Sequence, residues 1–169
     1  DLSGSVPTLL RPGAITVEML EEVLGKVQLD PVLKKPFAPG MHPKAPGMKY
    51  RHYAPQAEMY LVDGAPEAVI RLVNKRAANA KERGERVGVL AASETAGAYC
   101  ADAVFQLGQR EKPEEIAHNL FAALREMDAQ GVKLIYAEAF PESGVGLAIM
   151  NRMNKAAGHH WLHAGEESE

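Results

Sequence analysis

Several features that define other protein classes are scarce in this chain of 169 residues. Its single cysteine, Cys100, excludes an internal disulfide framework and fits a reducing compartment. No apolar run approaches the roughly 20 residues that a membrane helix needs. There is also no basic start followed by an apolar secretory segment. We therefore expect a cytoplasmic protein with no membrane partner, and we expect Cys100, which lies in an apolar stretch, to be a buried and inert thiol.

The chain also lacks an excess of positive charge. Its net charge is −3, with 46% hydrophobic and 24% charged residues, which is ordinary for a globular protein. There is no overall basic field of the kind that drives binding to nucleic acid, so we expect no direct nucleic-acid contact. The length allows one domain with a sizeable core and some additional segments. Because the first residue is Asp1 and not methionine, we interpret the sequence as a fragment.

Positive charge is instead concentrated between residues 34 and 53, where there is no acidic residue. The cations of this stretch are Lys34, Lys35, Lys44, Lys49 and Arg51, and its prolines are Pro36, Pro39, Pro43 and Pro46. Proline lacks an N–H group and fixes φ, so a packed helix or a central strand is excluded here. The composition predicts a semi-stiff cationic connector.

Residues 46–55 of this connector read Pro-Gly-Met-Lys-Tyr-Arg-His-Tyr-Ala-Pro. Cations suit phosphates and aromatic faces suit a base, so this loop is suited to covering an anionic, flat ligand. On chemistry alone, a linker whose tyrosines merely pack is an equal alternative.

The rest of the chain alternates between strand and helix patterns. We predict strands at 59–62, 87–91, 103–107 and 134–137, and helices at 66–83, 113–130 and 147–157. A short strand at 8–11 and a helix capped by Thr16 and running to Leu24 precede the connector. The alternation predicts an α/β fold: a small Rossmann-like three-layer domain with a mainly parallel sheet.

Two glycine-containing loops and the histidines are further candidates. Ser93–Gly97 follows a strand and Glu142–Gly146 precedes the last helix, whose N-terminus is suited to an anion. Close packing of helix on strand explains these glycines equally well. His159, His160 and His163 lack the spacing of a known metal motif, so we expect a solvated C-terminal segment and no metal site there.

Three motifs resemble one family, the two-domain threonylcarbamoyl-AMP synthases. Residues 46–55 resemble the family's interdomain linker. Residues 10–16, Leu-Arg-Pro-Gly-Ala-Ile-Thr, resemble the end of its catalytic domain, and residues 146–152, Gly-Leu-Ala-Ile-Met-Asn-Arg, resemble the last helix of its C-terminal domain. The motifs stand in the family's order over nearly the whole chain, and the resemblance implies the same Rossmann-like fold.

The resemblance implies a nucleotidyltransferase reaction that serves the modified tRNA nucleoside threonylcarbamoyladenosine (t6A). L-threonine, bicarbonate and ATP, with magnesium, give threonylcarbamoyl-AMP and pyrophosphate. It implies that Arg11 contacts the ATP phosphates and that Tyr53 closes over the nucleotide. Lys49, Tyr50, Arg51 and His52 are implied companions in this lid, His52 as a hydrogen-bonding group or as a proton carrier. Direct tRNA binding is not expected, and downstream tRNA-modifying proteins are the implied partners.

On this interpretation, residues 1–26 end the catalytic domain, 27–56 form the cationic lid, 57–163 form the Rossmann-like domain, and 164–169 form an acidic tail. Most of the ATP and magnesium site would lie in a preceding domain. No residue of this chain is assigned as catalytic, and the isolated chain is expected to be inactive. The alternative is a stand-alone regulatory module that binds a nucleotide or another small ligand at the ends of its strands.

Overall fold

The computed structural model describes residues 1–33 and 54–165. Its strands are β1 Thr8–Leu9, β2 Gln28–Leu29, β3 Glu58–Asp63, β4 Val87–Ala92, β5 Ala103–Gly108, β6 Leu134–Glu138 and β7 Trp161–His163. Its helices are α1 Val17–Leu24, α2 Pro66–Glu82, α3 Pro113–Ala129 and α4 Val145–Ala156, with 3₁₀ turns at Pro31–Leu33 and Ala96–Ala98.

The larger sheet has five strands in the order β5-β4-β6-β3-β7, and every pairing in it is parallel. The central pairing aligns Met59 with Ile135 and Leu61 with Ala137. Consecutive parallel strands need crossover connections. Helices α2, α3 and α4 provide three of them, and the loop with the 3₁₀ turn Ala96–Ala98 joins β4 to β5. The predicted Rossmann-like α/β fold is confirmed.

Both faces of this sheet are covered, which explains its apolar strands. All six residues of β4 are buried. Leu90 and Ala92 lie in a core cluster with residues of α3 and α4, whereas Val89 and Ala91 lie in a second cluster with residues of α2. A strand buried on two faces cannot alternate between apolar and polar residues, as the sequence pattern predicted. The domain therefore has three layers, with α2 on one side and α3 and α4 on the other.

Local sequence signals set the ends of the long helices. Pro66 and Pro113 occupy the first turns of α2 and α3, where a missing N–H group has no consequence. Gly84 and Gly131 follow the two helices with φ of 73° and 67°, a backbone conformation that favours glycine. These boundaries lie within two residues of those predicted.

The sequence pattern missed the last strand, β7. Trp161–His163 pairs in parallel with Leu61–Asp63 of β3 and forms one edge of the sheet. The prediction of a solvated segment holds for the exposed His160 and His163 but misses the strand, because a strand of three residues carries no periodic signal.

The N-terminal segment, residues 1–33, contains a two-stranded parallel sheet of β1 and β2 with α1 between them. Thr16 caps α1, and its hydroxyl accepts a hydrogen bond from the Met19 N–H at 3.3 Å. None of the residues of α1 is buried, and Met19 and Val23 on its apolar side are 51% and 82% exposed. Residues 27–33 include β2 and the 3₁₀ turn Pro31–Leu33, and four of these residues are buried: Val27, Asp30, Val32 and Leu33.

A membrane-spanning helix was sought over residues 1–33 and 54–165. None of the helices there is both long and apolar enough to cross a bilayer.

Candidate functional site

Of the predicted nucleotide contacts, the structure describes Arg11. The remaining ones lie outside the described residues: Lys49, Tyr50, Arg51, His52 and Tyr53. Their roles stay predictions.

Arg11 lies two residues beyond the end of β1, with an exposed side chain next to the buried Pro12. It forms part of the wall of an open recess of about 570 Å³. The other walls are mainly apolar, and they come from the chain start, β1, α1 and Val27. An exposed guanidinium at the edge of a recess is available to an anionic ligand, since its planar fork matches phosphate oxygens.

A second cation, Lys155 near the end of α4, lies within electrostatic range of Arg11. Burial lowers the pKa of Lys155, and the charge of Arg11 lowers it further. The side chain of Arg11 thus has a second cation near it, on α4.

The N-terminus of α4, a predicted anion site, is contacted by a carboxylate of the chain itself. The Gly144 N–H donates to Glu18 Oε1 of α1 at 3.4 Å. The N–H group of Glu18, the Thr16 hydroxyl and the Gly144 N–H lower the pKa of Glu18, in that order of size. A negative charge is favourable at a helix N-terminus, so this contact joins α1 to α4.

A second contact joins α4 to the end of the N-terminal segment. The cationic connector, residues 34–53, follows directly, and we call it the cationic linker from here on. The side-chain amide of Asn151 donates from Nδ2 to the carbonyl oxygen of Leu33 at 3.1 Å. Beyond the linker, the Gln56 N–H donates to Asp128 Oδ1 of α3 at 2.8 Å. The described residues on either side of the linker are thus bonded to side chains of α3 and α4.

The carboxyl ends of β4, β5 and β6 meet around Glu138, a residue that sequence reasoning missed. Glu138 is 3% exposed. It accepts hydrogen bonds from the Ala92 N–H at 3.2 Å and the Tyr99 hydroxyl at 2.6 Å, and also from the Thr95 hydroxyl and the Arg110 guanidinium. We call these four side chains, Glu138, Tyr99, Thr95 and Arg110, the Glu138 cluster.

Arg110 links the Glu138 cluster to the following loop. Its Nη1 donates to the Ala139 carbonyl oxygen at 3.1 Å, and its guanidinium lies 5.2 Å from the centre of the Phe140 ring. Burial first, and then the hydrogen bond to Glu138, raise the pKa of Tyr99 far above its ordinary value, so its hydroxyl stays a donor. A buried carboxylate is tolerated only when it is paired and hydrogen-bonded, and here both conditions are met.

The cluster changes the interpretation of the loop Ser93–Gly97. The side chain of Thr95 within this loop bonds to Glu138 and to the Ala92 carbonyl oxygen. The Thr95 side chain thus joins the ends of two strands within the domain. The signal in the sequence was a lone acid ending the apolar run Leu134–Ala137, but its partners come from distant loops.

The prediction of a buried Cys100 is wrong. Cys100 is exposed, because it lies in the connection after the turn Ala96–Ala98 and not inside a strand. Asn74 of α2 holds this connection, accepting from the Cys100 N–H at 2.8 Å and donating to the Ala98 carbonyl oxygen at 2.9 Å.

Two of the C-terminal histidines contact different residues of β3. His160 packs against Tyr60, with ring centres 5.5 Å apart, and His163 Nδ1 lies 2.7 Å from Asp63 Oδ1. Within residues 1–33 and 54–165, no three histidine, cysteine or acidic side chains are grouped as a metal site would require.

The architecture and these contacts define a class: a Rossmann-like domain on which an N-terminal segment and both described ends of a cationic linker are fixed. Comparison with known proteins identifies the family. The model of the family "Threonylcarbamoyl-AMP synthase, C-terminal domain" matches residues 15–158, and this chain belongs to that family.

Curated relatives carry the same name. The chain is 46% identical over 159 residues to threonylcarbamoyl-AMP synthase of Pyrococcus abyssi, an alignment that covers 94% of this chain and 44% of the relative. It is also 46% identical over 156 residues to that of Bacillus subtilis, covering 92% and 43%. The chain thus spans less than half the length of these relatives.

A solved structure agrees with the fold. The crystal structure of Pyrococcus abyssi Sua5 complexed with L-threonine is 45% identical, with a TM-score of 0.84. The match covers 96% of this chain and 46% of that one.

Proposed function

We propose that this chain is the linker and accessory domain of a threonylcarbamoyl-AMP synthase. The observation that carries the proposal is family membership over residues 15–158, together with relatives of that name at 46% identity. In the proposed reaction the amine of L-threonine captures carbon dioxide, derived from bicarbonate, as a carbamate. A carbamate oxygen then attacks the α-phosphorus of ATP, and pyrophosphate leaves. The product, threonylcarbamoyl-AMP, is the donor for t6A formation by downstream tRNA-modifying proteins.

In this proposal the chain contributes positioning and charge neutralisation and no covalent step. Arg11 binds ATP phosphates, with ATP supplied as its magnesium complex. Tyr53 covers the nucleotide, and Lys49, Tyr50, Arg51 and His52 complete the lid. Closure keeps water from the labile carbamate and the mixed anhydride. The exposed position of Arg11 beside an open recess supports its part in the proposal.

We also propose that residues 1–26 complete a catalytic domain that carries most of the ATP and threonine site. A two-stranded sheet of two-residue strands has too little packing to be stable alone. The apolar side of α1 supports the same conclusion, because Met19, Val23 and Leu24 are exposed, as is Ile15 just before the helix. Large apolar side chains grouped in this way normally mark a surface that another unit covers.

Variants of Arg11 and Tyr53 in the intact protein test the assignment of the ATP contacts. Arg11→Ala and Tyr53→Ala should each weaken ATP binding and slow pyrophosphate release about tenfold to a hundredfold, since each removes a contact to a charged or stacked ligand. Arg125→Ala, which removes an exposed arginine of α3, is the matched control and should change neither. Tyr53→Phe keeps the ring and removes the hydroxyl, so it shows which of the two groups contributes to ATP binding. Wild-type rates of pyrophosphate release in both alanine variants would refute the proposed ATP contacts of Arg11 and Tyr53.

The chain of 169 residues by itself tests the alternative of a stand-alone module. We expect neither pyrophosphate release nor tight ATP binding from it. Micromolar ATP binding by the chain alone would favour the stand-alone module over the accessory domain.

Introducing a charge on α1 tests the packing of residues 1–26. Val23→Asp should leave the stability of the chain alone unchanged, because Val23 is exposed there. In the intact protein it should destabilise by about 2 kcal/mol or more, as expected for a charge at a buried apolar contact. Lys26→Asp, which changes an exposed and already polar residue beyond the same helix, is the control. Equal thermal shifts for Val23→Asp in the two contexts would contradict the packing.

A further inference from the structure

Among the buried residues of α4, Asn151 is the one with a polar side chain. It is 8% exposed, and a buried amide needs a hydrogen-bond partner. That partner lies outside the Rossmann-like domain, in the N-terminal segment: Nδ2 donates to the Leu33 carbonyl oxygen at 3.1 Å. Asn151 thus connects the last helix to a residue 118 positions earlier in the chain.

The acceptor belongs to a well-defined turn. The Asp30 carboxylate accepts from the Val32 N–H at 3.0 Å, and the Asp30 carbonyl oxygen accepts from the Leu33 N–H at 3.0 Å. Leu33 is only 5% exposed. These bonds hold the N–H groups of the turn Pro31–Leu33, while its last carbonyl is bound by α4. The carbonyl at the end of this turn is therefore held by Asn151.

The other end of the linker is fixed to the same helical layer. The Gln56 N–H bonds to Asp128 of α3, and the next residue, Ala57, belongs to the core cluster that contains residues of α3 and α4. Two separate hydrogen bonds thus join the described residues on either side of the linker to the layer of α3 and α4.

We propose that Asn151 is a positioning residue for nucleotide binding. By bonding to the Leu33 carbonyl it sets where the cationic linker begins, and through this the placement of the linker against ATP. The inference rests on the proposed function, in which linker residues contact ATP. Asn151 itself touches no substrate.

The test uses Asn151→Leu, which keeps a similar volume and removes the donor. Asn119 provides a matched control, because its Nδ2 donates to the Leu107 carbonyl oxygen at 2.9 Å, also from a helix to the main chain but within the domain. Asn119→Leu removes an equivalent bond without affecting Leu33. Asn151→Ser, whose hydroxyl is too short to reach Leu33, serves if the leucine variant does not fold.

The first readout is amide hydrogen exchange in the 169-residue chain. Asn151→Leu should speed exchange at Val32 and Leu33 about tenfold, because the turn opens more readily once its carbonyl lacks a buried donor. Asn119→Leu should leave these two amides unchanged. Unchanged exchange in Asn151→Leu, or an equal increase in Asn119→Leu, would overturn the inference.

The second readout is the KM for ATP and the kcat of the intact protein. Asn151→Leu should raise the KM for ATP about fivefold to tenfold with a smaller change in kcat, since it disturbs placement and not chemistry. If Tyr53→Ala raises this KM and Asn151→Leu does not, the positioning role fails while the proposed function stands. A third outcome is faster exchange at Leu33 in Asn151→Leu with no change of KM in either variant. In that case Asn151 does hold the turn, but the proposed lid and the positioning role for ATP both fail.

Discussion

The N-terminal segment and the Rossmann-like domain use similar residues with opposite results. In the domain, apolar side chains of α2, α3 and α4 are buried against a sheet covered on both faces. In the segment, the apolar side of α1 is exposed, and the β1–β2 sheet has two residues in each strand. Amphipathic patterning thus predicts a helix in both regions, but the surface that buries the helix must come from elsewhere in the fold.

The largest contrast should appear when one apolar residue is truncated in each region. Leu120→Ala in α3 should lower the free energy of unfolding by about 2–5 kcal/mol, because a fully buried side chain leaves a cavity. Val23→Ala in α1 should change it by less than about 0.5 kcal/mol, because the side chain is exposed. Urea unfolding of the 169-residue chain measures both. A similar loss for the two variants would show that α1 is buried in solution.

A smaller contrast should separate the buried Glu138 cluster from a surface ion pair. Glu138→Gln should lower the free energy of unfolding by about 1.5–3 kcal/mol, since it weakens hydrogen bonds to a charged acceptor and leaves the Arg110 charge unpaired. The control is Glu85→Gln, which removes the exposed pair with Arg83 at 2.8 Å and should have an effect of about 0–1 kcal/mol. Equal losses of unfolding free energy in Glu138→Gln and Glu85→Gln would mean that the Glu138 cluster is open to water.

The pH dependence of stability tests the same cluster. Because the pKa of Tyr99 is higher in the folded than in the unfolded chain, the folded state retains this proton more strongly. The resulting stability is fully present below the unfolded value of 10.0 and is lost as the pH rises above it. The advantage of the wild type over Tyr99→Phe in unfolding free energy should therefore shrink above about pH 10. A constant advantage across this range would contradict the assignment.

The smallest effect should come from the contact that joins the two regions. The pKa of Glu18 is lower in the folded chain, so its bond to the Gly144 N–H contributes above the unfolded value of 4.5 and is lost as the pH falls. The Gly144 amide signal in NMR spectra should therefore titrate at acidic pH in the wild type and in Glu22→Gln, but not in Glu18→Gln. Titration that persists in Glu18→Gln would place the carboxylate elsewhere.

Elements with strong local signals were predictable from the sequence. Pro66, Gly84, Pro113 and Gly131 mark helix ends by backbone chemistry that needs no tertiary information. The apolar strand predicted at residues 87–91 indicated a sheet covered on both faces. These signals were sufficient for the fold class and for most boundaries.

Features that depend on distant partners were not predictable. Glu138 bonds to residues from two loops, and Asn151 bonds to a carbonyl on another segment. The strand Trp161–His163 exists only because Leu61–Asp63 offers a free edge. Cys100 lies between apolar stretches, yet it is exposed because the chain turns before it. The resemblance indicated all of the candidate nucleotide contacts. The structure describes only Arg11 among them, and their roles stay predictions.

The order of strands in the sheet has a consequence for synthesis of the protein on the ribosome. Strand β3 is the first strand of the domain to emerge, and its sheet neighbours are β6 and β7, the last two. Met59 and Leu61 therefore have no strand to pair with until residues 134–138 have left the exit tunnel. Non-local parallel pairing of this kind slows folding and leaves apolar strands exposed meanwhile. Nascent chains that stall before β6 should accordingly be sensitive to aggregation and should depend on chaperones, whereas the completed domain should not.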